Sequence, residues 1–365
     1  MPISRIDNEG LTGPIGGRRN LIINGAMNIC QRATSKSGLG ANSDSGYHVQ
    51  DRFDLVLAGN TAGRFTMSQD TDAPSGFGAA MKFDCTTADT SIAADEFFAV
   101  LYQFEGQDLQ QLAKGTSDAK EVTVSFYAKA NASKTYVVEL KDYDNTRTVS
   151  KTFTVGTSYS RIELTFPADT TGALDNDTAR SLSLNIYLHV GSTYTGGTLQ
   201  TSWGSQVTAN RAAGCESFFS STDNTFFITG LQMEIGSVAT EFEHRSFGEE
   251  LALCQRYYQK SHRQEVAPGT ATNDGFNIQF SFGTAGSGIV GMPVILPVVM
   301  RTNPTVTIYD GEGTSGKVNT LNINAVVTHN QATNMVNARP NYINVRIYGV
   351  SVAGMSFMYE ADAEL

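Results

Sequence analysis

The 365-residue sequence predicts an all-β protein in which one short α-helix joins two β-sandwiches. Three observations carry this prediction. Many segments alternate between apolar and polar residues, which is the pattern of a strand with one buried face. Charged residues make up 17% of the chain while glycine occurs 35 times, a composition typical of β-rich structural proteins rather than of cytosolic enzymes. A helix-start signal followed by helical spacing is clear in Ser246–Lys260.

Residues 1–19 form the first predicted element, an extended N-terminal arm. The stretch contains two prolines, four glycines and three arginines and shows no hydrophobic periodicity. We expect this arm to dock onto another protein, with Arg5, Arg18 and Arg19 as the docking residues.

Residues 20–245 are predicted to form a jelly-roll β-sandwich. The clearest strand is Ser181–Val190, where five apolar residues alternate with polar ones. Such alternation predicts antiparallel sheets with one face buried and the other face in contact with solvent. Turn-forming clusters such as 169–172 separate the strands. Many strands of this kind in one region favour a jelly roll.

Residues 246–262 are predicted to form the connecting helix. Ser246 and Glu249 match a capping box, in which each side chain accepts a hydrogen bond from the backbone N–H group of the other residue. Four residues follow the 4-3-4 spacing of a coiled-coil seam: Phe247, Leu251, Cys254 and Tyr258. Two interpretations are open, because a helix this short is marginal alone. It either lies on the sheet of its own domain or forms a short trimeric bundle on a three-fold axis that joins two layers of domains.

Residues 263–365 are predicted to form a second, smaller β-sandwich. Ile278 and Phe280 alternate with polar neighbours, and so do Ile343, Val345 and Ile347. Prolines at positions 293, 297, 304 and 340 are expected at strand margins or edges, where a missing N–H group is tolerated.

Several motifs give the chain a family resemblance. They are Asn20–Gly25 with Asp51–Phe53, Ile228–Gly236 with Ala239–Glu243, Glu249–Tyr258, Pro297–Val306, and the terminus Tyr359–Leu365. With these motifs the sequence resembles tail-fibre and tail-associated proteins of tailed bacteriophages, in which a carbohydrate-binding-module-like jelly roll opens, closes and is followed by a helix in this way. The chain departs from long fibres because only 19 residues precede the module. We therefore expect a distal tip or a compact appendage docked through its arm.

The resemblance implies a homotrimeric virion protein that recognises a host-surface glycan. Such a protein would be assembled in the host cytoplasm and released by lysis. The alternative is a purely structural part of the virion, such as an adaptor, head fibre or decoration protein with no receptor. A glycan-degrading enzyme is a third alternative, since two carboxylates suffice for that chemistry. We predict no enzyme, because neither a Gly-x-Ser-x-Gly elbow nor a His-Glu-x-x-His motif occurs.

Charge and composition limit the other partners. The net charge of −10 and the pI of about 5.0 argue against nucleic-acid binding, which needs concentrated lysine and arginine. The sequence contains no apolar run of the ~18 residues that a membrane-spanning helix needs. We expect no cofactor and no metal. Asp175 and Asp177 resemble part of a calcium loop, but the rest of the pattern is missing and a solvated turn is favoured.

Five residues are candidates for contact with a glycan. Aromatic rings on a solvent-facing sheet stack on sugar C–H groups, and amides hydrogen-bond the hydroxyls. The alternation places four suitable side chains on the polar faces of their strands: Tyr127, Asn185, Tyr187 and His189. The alternative is that they pack under a loop or against a neighbouring subunit. Trp203 lies in a Ser/Gly-rich loop and is either a loop anchor or a recognition residue.

Overall fold

The computed structural model describes residues 18–280, 288–291, 293–321, 327–333, 335–350 and 353–365. The chain divides into two units. Among the described residues, the first unit comprises 18–28, Ser35–Phe247 and Leu365, and the second comprises Ile29–Thr34 and the described part of Gly248–Glu364. Strands dominate both units, and the α-helices in the described ranges are only α1 (Ser192–Thr195) and α2 (Phe247–Gln255). The predicted all-β class is confirmed. Neither helix is long and apolar enough to cross a membrane.

The first unit consists of two antiparallel sheets. Its strands are β1 (Ser35–Leu39), β2 (Gly46–Tyr47), β3 (Phe53–Ala58), β4 (Arg64–Asp70), β5 (Ala80–Thr87), β6 (Phe97–Glu105), β7 (Val122–Ala130), β8 (Lys134–Asp142), β9 (Arg147–Val155), β10 (Ser160–Phe166), β11 (Arg180–Val190), β12 (Gly204–Ser205) and β13 (Thr225–Ile235). The six-stranded sheet has the order β1-β4-β5-β13-β7-β10, and the seven-stranded sheet has the order β12-β9-β8-β11-β6-β3-β2. Short 3-10 helices lie at Asn42–Asp44, Gly106–Asp108, Gln110–Leu112, Thr208–Asn210 and Phe218–Ser220.

Aromatic side chains join the two sheets of this unit. Phe65 of β4 stacks on Phe98 of β6 with ring centroids 4.6 Å apart, so the six-stranded sheet faces the seven-stranded one. Tyr136 of β8 meets Phe226 of β13 at 5.4 Å in the same interior. All four rings are buried. Their burial removes large apolar areas from water, which stabilises the predicted jelly-roll sandwich.

The opening and closing motifs of the first unit are bonded to each other. Leu21 N–H donates to Met233 O (2.9 Å), and the Asn20 side-chain oxygen accepts from Met233 N–H (3.1 Å). Gly25 O accepts from Leu231 N–H (2.9 Å). A Cβ atom on Gly25 would lie 2.1 Å from Leu231 O, so a glycine is required for this approach. The motifs that carry the family resemblance therefore close the sandwich.

The second unit is also a two-sheet sandwich. Its strands are β14 (Tyr258–Lys260), β15 (Asn277–Phe280), β16 (Gly288–Val290), β17 (Pro293–Ile295), β18 (Thr305–Tyr309), β19 (Lys317–Leu321), β20 (Val327–Ala332), β21 (Met335–Arg339), β22 (Tyr342–Val350) and β23 (Gly354–Asp362). In the six-stranded sheet, β23 pairs with β14, β15, β18 and β19, and β20 pairs with β19. In the four-stranded sheet, β22 pairs with β16, β17 and β21. Ile343 and Val345 of β22 share one core with Met355 and Phe357 of β23.

Helix α2 is shorter than the predicted 246–262. It ends at Gln255, and Tyr258–Lys260 forms strand β14 against Glu360–Asp362. The Tyr257 N–H donates to Cys254 O at 2.9 Å and closes the turn between them. Pairing with β23 provides hydrogen-bond partners for the backbone of Tyr258, and its ring is buried. The second half of the predicted helix is therefore a strand of the sheet.

Candidate functional site

A cleft of about 280 Å³ lies on the face of the seven-stranded sheet that points away from the sandwich core. Three strands at the centre of the sheet, β8, β11 and β6, form its floor, and β3 lies on the far side of β6. The cleft is lined by Val56, Ala58, Phe97, Leu101, Lys141, Tyr143, Arg180, Asn185, Tyr194 and Arg211. It lies entirely within the first unit.

The loop of residues 191–217 covers the part of this sheet face next to the cleft. Tyr194, Leu199, Ala212 and Cys215 from the loop pack with Tyr187 and its apolar neighbours on the sheet. The loop is fixed to the sheet by its backbone, since Ser150 Oγ donates to Arg211 O at 2.9 Å. A second, small apolar core therefore lies outside the main one, and the cleft is what the loop leaves open.

The floor of the cleft rests on a buried carboxylate. Glu139 of β8 accepts two hydrogen bonds from Arg211, one on each oxygen, at 2.8 and 2.7 Å. Its Oε2 also accepts from Asn185 Nδ2 (2.8 Å) and from the Tyr187 hydroxyl (2.6 Å). Burial, and then the Glu139 charge, raise the pKa of Tyr187 well above its ordinary value, so this hydroxyl stays protonated and donates. The network holds Asn185 and Arg211 in place.

The rim of the cleft at the end of β8 is cationic and aromatic. The Arg180 guanidinium lies 3.7 Å from the centroid of the Tyr143 ring, and Lys141 Nζ lies 4.5 Å from it. Arg180 Nη1 also donates to Gln103 Oε1 at 2.8 Å. Tyr143 and Lys141 are half-buried, and Arg180 is exposed. Burial and, after it, the charge of Arg211 lower the pKa of Lys141.

The opposite rim is aromatic. Tyr194 lies in α1, at the start of the loop that covers the sheet, and is half-buried. Its ring centroid is 5.2 Å from that of Phe97, which in turn meets Tyr187 edge-on at 5.2 Å. Tyr194 is held in place on one side by Phe97 while the rest of its ring faces the cleft opening. The cleft thus combines two partly exposed tyrosines with amide, ammonium and guanidinium donors.

The prediction that one face of β11 contacts solvent is wrong for three side chains. Asn185, Tyr187 and His189 are 1%, 0% and 0% exposed, because the loop of residues 191–217 and neighbouring strands cover that face. Asn185 still reaches the cleft, where it lines the floor. Tyr187 supports the floor from below through its hydrogen bond to Glu139.

His189 is part of a separate buried network. Its Nε2 lies 2.9 Å from Glu96 Oε2, and its Nδ1 lies 2.8 Å from Ser217 Oγ. A carboxylate can only accept, so the proton is assigned to Nε2 and the Ser217 hydroxyl donates to Nδ1. Ser217 Oγ accepts in turn from Phe219 N–H at 3.0 Å. The ring ties β11 to the end of the covering loop and does not reach the cleft.

The other two glycan candidates lie elsewhere in the first unit. Tyr127 belongs to β7 in the six-stranded sheet, where its ring packs against Phe77 at 5.4 Å. Trp203 donates from Nε1 to Pro167 O at 2.9 Å and lines a cavity of about 20 Å³ beside Lys114. This contact favours the loop-anchor interpretation of Trp203. The structure therefore does not bring the five candidates together.

The predicted docking and metal residues are placed as follows. Arg5 lies outside the described residues. Arg18 is exposed, but Arg19 donates to Glu243 Oε1 (3.2 Å) and Glu241 O (2.6 Å), so this end of the predicted arm is bound to the first unit itself. Asp175 and Asp177 are exposed. Within the described ranges, no group of three or more His, Cys, Asp or Glu side chains is arranged to hold a metal ion.

Five lining residues with polar groups were not predicted from the sequence: Lys141, Tyr143, Arg180, Tyr194 and Arg211. The alternation of Tyr136, Val138 and Leu140 does imply that Lys141 faces away from the core, so this signal was available. Tyr143 follows the end of β8 and Arg211 lies in the covering loop. Neither position belongs to a periodic pattern that could have revealed it.

Comparisons with known proteins gave structural likenesses only. No protein-family model and no curated protein matches the sequence. The chain is similar to the family 11 carbohydrate-binding module of the cellulosomal cellulase Lic26A-Cel5E of Clostridium thermocellum, at 12% identity and a TM-score of 0.27, covering 58% of this chain and 98% of the module.

Two further solved structures are similar to the chain. The CBM22-1 xylan-binding domain of Paenibacillus barcinonensis Xyn10C matches at 10% identity and a TM-score of 0.28, over 57% of this chain and 99% of the domain. The enzymatically active domain of tailspike protein 4 of bacteriophage CBA120 matches at 9% identity and a TM-score of 0.29, over 51% of this chain and 19% of that one. Likenesses at these TM-scores carry no functional argument, so the function of the cleft must be argued from its own geometry.

Proposed function

We propose that this chain is a non-catalytic glycan-binding protein whose site is the cleft on the seven-stranded sheet. One observation carries the proposal. Two partly exposed tyrosines, Tyr143 and Tyr194, line the same cleft, and the cleft also contains polar donors that are held in place. Sugars offer apolar C–H faces and a ring of hydroxyls, so they require this combination of aromatic surface and hydrogen-bonding groups.

The size and rigidity of the cleft suit a short stretch of a longer glycan. Its volume of about 280 Å³ is near the lower end of the range of small-molecule sites, roughly 300–1,000 Å³. Asn185 and Arg211 are held by Glu139, so little side-chain freedom is lost when a ligand binds. We expect the tyrosines to stack on sugar rings and the fixed donors to select among hydroxyl arrangements.

We further propose that the glycan belongs to a host-cell surface and that the protein is a homotrimeric component of a phage tail fibre or spike. The support is the sequence resemblance carried by Asn20–Gly25, Ile228–Gly236 and Glu249–Tyr258. In this setting other virion proteins bind the residues before Arg18, and the protein is assembled in the host cytoplasm and released by lysis. The alternative is a structural adaptor or decoration protein that uses the same fold without a receptor.

Glycan binding is tested with the purified full chain on an array of bacterial surface polysaccharides. Tyr143→Ala and Tyr194→Ala should each weaken binding by about two- to tenfold, since one aromatic contact contributes roughly 0.5–1.5 kcal/mol. Tyr143→Phe should retain it. Tyr159→Ala is the matched control, because Tyr159 is half-buried on the other side of the sandwich, beside Phe227 of the six-stranded sheet.

The outcomes separate the alternatives. Binding that is unchanged in both alanine variants would place the glycan site elsewhere and overturn the assignment to the cleft. No binding to any glycan would favour the structural adaptor. Release of reducing sugar from a bound polysaccharide would replace the binding role with an enzymatic one.

The virion setting needs a different experiment. Electron microscopy of phage particles labelled with antibody to this chain should show label at the tail or at a surface appendage. Label at the head would favour a head fibre or decoration protein. Absence of the chain from purified particles would overturn the virion setting and leave the glycan proposal standing.

A further inference from the structure

We propose that the glycan bound in the cleft is acidic, with a carboxylate group held between Lys141 and Arg180. This inference rests on the proposed glycan-binding function and specifies the chemical class of the ligand. It follows from the charge of the lining, the lack of counter-ions on the rim and the geometry of the two cations.

The charge of the cleft is opposite to that of the chain. The sequence has 26 lysines and arginines against 36 aspartates and glutamates, a net charge of −10. The cleft lining includes three cationic side chains, Lys141, Arg180 and Arg211, and no acidic one. A neutral sugar would not require this reversal, whereas an anionic ligand is attracted into a positive cleft on a negative protein.

The buried carboxylate beneath the floor does not neutralise this charge. Glu139 is saturated by two hydrogen bonds from Arg211 and by one each from Asn185 and Tyr187. The charges of Glu139 and Arg211 therefore cancel each other, and both carboxylate oxygens of Glu139 already accept hydrogen bonds. Two positive charges remain, on Lys141 and Arg180.

These two charges have no internal counter-ion. Among the described residues, no carboxylate lies within salt-bridge distance of Lys141 or Arg180, and both instead contact the ring of Tyr143. Lys141 is half-buried, so it loses part of its hydration without an ion pair in return. Burial and the charges of Arg211 and Arg180 lower the pKa of Lys141, and the charge of the buried Glu139 opposes this shift without cancelling it.

The donors on the rim suit a carboxylate. Arg180 uses Nη1 for Gln103, and the rest of its fork of N–H groups is directed to no other protein group in the described ranges. A guanidinium binds both oxygens of a carboxylate in a planar fork, and a lysine adds a point charge beside it. With Tyr143 between them, a charged sugar ring could stack on the tyrosine while its carboxylate meets both cations.

The inference is tested by titration calorimetry with matched charged and neutral ligands. The first pair is an oligomer of galacturonic acid and its methyl ester, which has the same sugar without the charge. The second pair is a phosphorylated mannan oligomer and its dephosphorylated form. We expect the uronic acid to bind roughly tenfold or more tightly than its ester, and its affinity to fall as salt rises from about 50 to about 300 mM.

Variants assign the effect to the two cations. Lys141→Met and Arg180→Gln should each lower the affinity for the uronic acid much more than the affinity for the ester, and so remove most of the difference between the two ligands. Lys36→Met is the control, since it removes one charge from an exposed position on β1 of the other sheet. Lys141→Met and Arg180→Gln should both unfold at the same urea midpoint as the wild-type protein, which shows that the fold is intact.

Each remaining result overturns a defined part of the inference. Equal binding of the charged and neutral members of both pairs would refute an acidic ligand and leave glycan binding intact. Preference for the phosphorylated member alone would refute the carboxylate. If none of these ligands binds and Tyr143→Ala binds the polysaccharide array in the same way as the wild type, the proposed function itself is refuted.

Discussion

Arg211 donates one hydrogen bond to each carboxylate oxygen of Glu139, at 2.8 and 2.7 Å, and the two residues form an ion pair beneath the cleft floor. Their side chains are 10% and 0% exposed. The pair joins the covering loop to β8. Since Glu139 also fixes Asn185 and Tyr187, the pair links the stability of the first unit to the shape of its proposed binding site.

Removal of Arg211 should strongly destabilise the first unit. In Arg211→Met the Glu139 carboxylate keeps two neutral donors but loses its counter-charge, and a buried unpaired charge costs about 3–5 kcal/mol. Urea unfolding followed by the fluorescence of Trp203, the single tryptophan of the chain, measures the free energy of unfolding of this unit. The double variant Glu139→Gln/Arg211→Met should recover part of the loss.

Lys82→Met provides the control for this prediction. Lys82 Nζ lies 3.5 Å from Asp84 and 3.7 Å from Asp70, and all three side chains are partly exposed. Removal of such a surface cation should cost less than about 1 kcal/mol. If Arg211→Met costs no more than Lys82→Met, the Glu139–Arg211 pair does not support the cleft in the way described.

Lys114 occupies a second buried network, made almost wholly of oxygen atoms. Its ammonium donates to Asp142 and to the carbonyls of Gly172 (2.8 Å) and Thr171 (3.2 Å), and it forms an ion pair with Asp169 (3.0 Å). Burial raises the pKa of Asp169, but hydrogen bonds from Arg147 and Lys114 outweigh it and hold the pKa below 3.8. The contribution of the ionised Asp169 to the stability of the wild-type protein is therefore fully present above pH 3.8. It is lost as the pH falls through the lowered pKa of the folded state.

Lys114→Met should destabilise the first unit by about 3 kcal/mol at neutral pH, because the buried Asp142 loses its ammonium partner and Asp169 keeps only Arg147 as a counter-charge. The deficit should shrink below about pH 4, where protonation removes the charges that Lys114 balances. Urea midpoints at several pH values give the result. Lys120→Met is the control, as Lys120 lines the same small cavity but is exposed, and it should stay near wild type. A deficit that is constant with pH would show that lost packing, not charge, is responsible.

The sequence predicted the strands better than the surfaces they present. Alternation in Ser181–Val190 correctly marks a strand, and the structure extends it by one residue to Arg180. Alternation states which side chains share a face of the sheet, but not what covers that face. The covering loop of residues 191–217 has no periodic pattern, so the burial of Tyr187 and His189 could not be inferred.

Non-local pairing also explains the misplaced end of the helix. The capping box and seam correctly indicate a helix that starts near Ser246. Its continuation past Gln255 is prevented because Tyr258 pairs with Asp362, which is more than a hundred residues away in sequence. A local pattern cannot reveal a competitor that lies so far along the chain.

His189 should make the first unit sensitive to mild acid. Burial lowers the pKa of its ring below 6.5, although Glu96 opposes the shift. The contribution of the neutral His189 ring to stability is therefore fully present above pH 6.5. It declines as the pH falls from there towards the lowered pKa of the folded state. Between pH 7.5 and 5.5 we expect a loss of stability that does not exceed about 1.4 kcal/mol, the limit for a single group with an ordinary histidine pKa in the unfolded chain.

His189→Gln should reduce this pH-dependent loss while it lowers stability at pH 7.5. The measurement is the urea midpoint from Trp203 fluorescence at pH 7.5 and 5.5. His244→Gln, which replaces an exposed ring, should retain the wild-type loss. If His189→Gln loses as much stability as the wild type over this interval, another group carries the acid sensitivity.

The proposed homotrimer depends on a shorter seam than the sequence suggested. Cys254 and Tyr258 are buried within the chain, so of the four seam residues Phe247, at 56% exposed, and the half-buried Leu251 remain for contact with partner chains. Leu251→Glu should convert a trimer to a monomer in light scattering at micromolar concentration, because three charges would meet at the axis. Ala252→Glu, one position off the seam and exposed, should remain trimeric. A wild-type monomer would refute the trimer, and a trimer that survives Leu251→Glu would place the contacts outside α2.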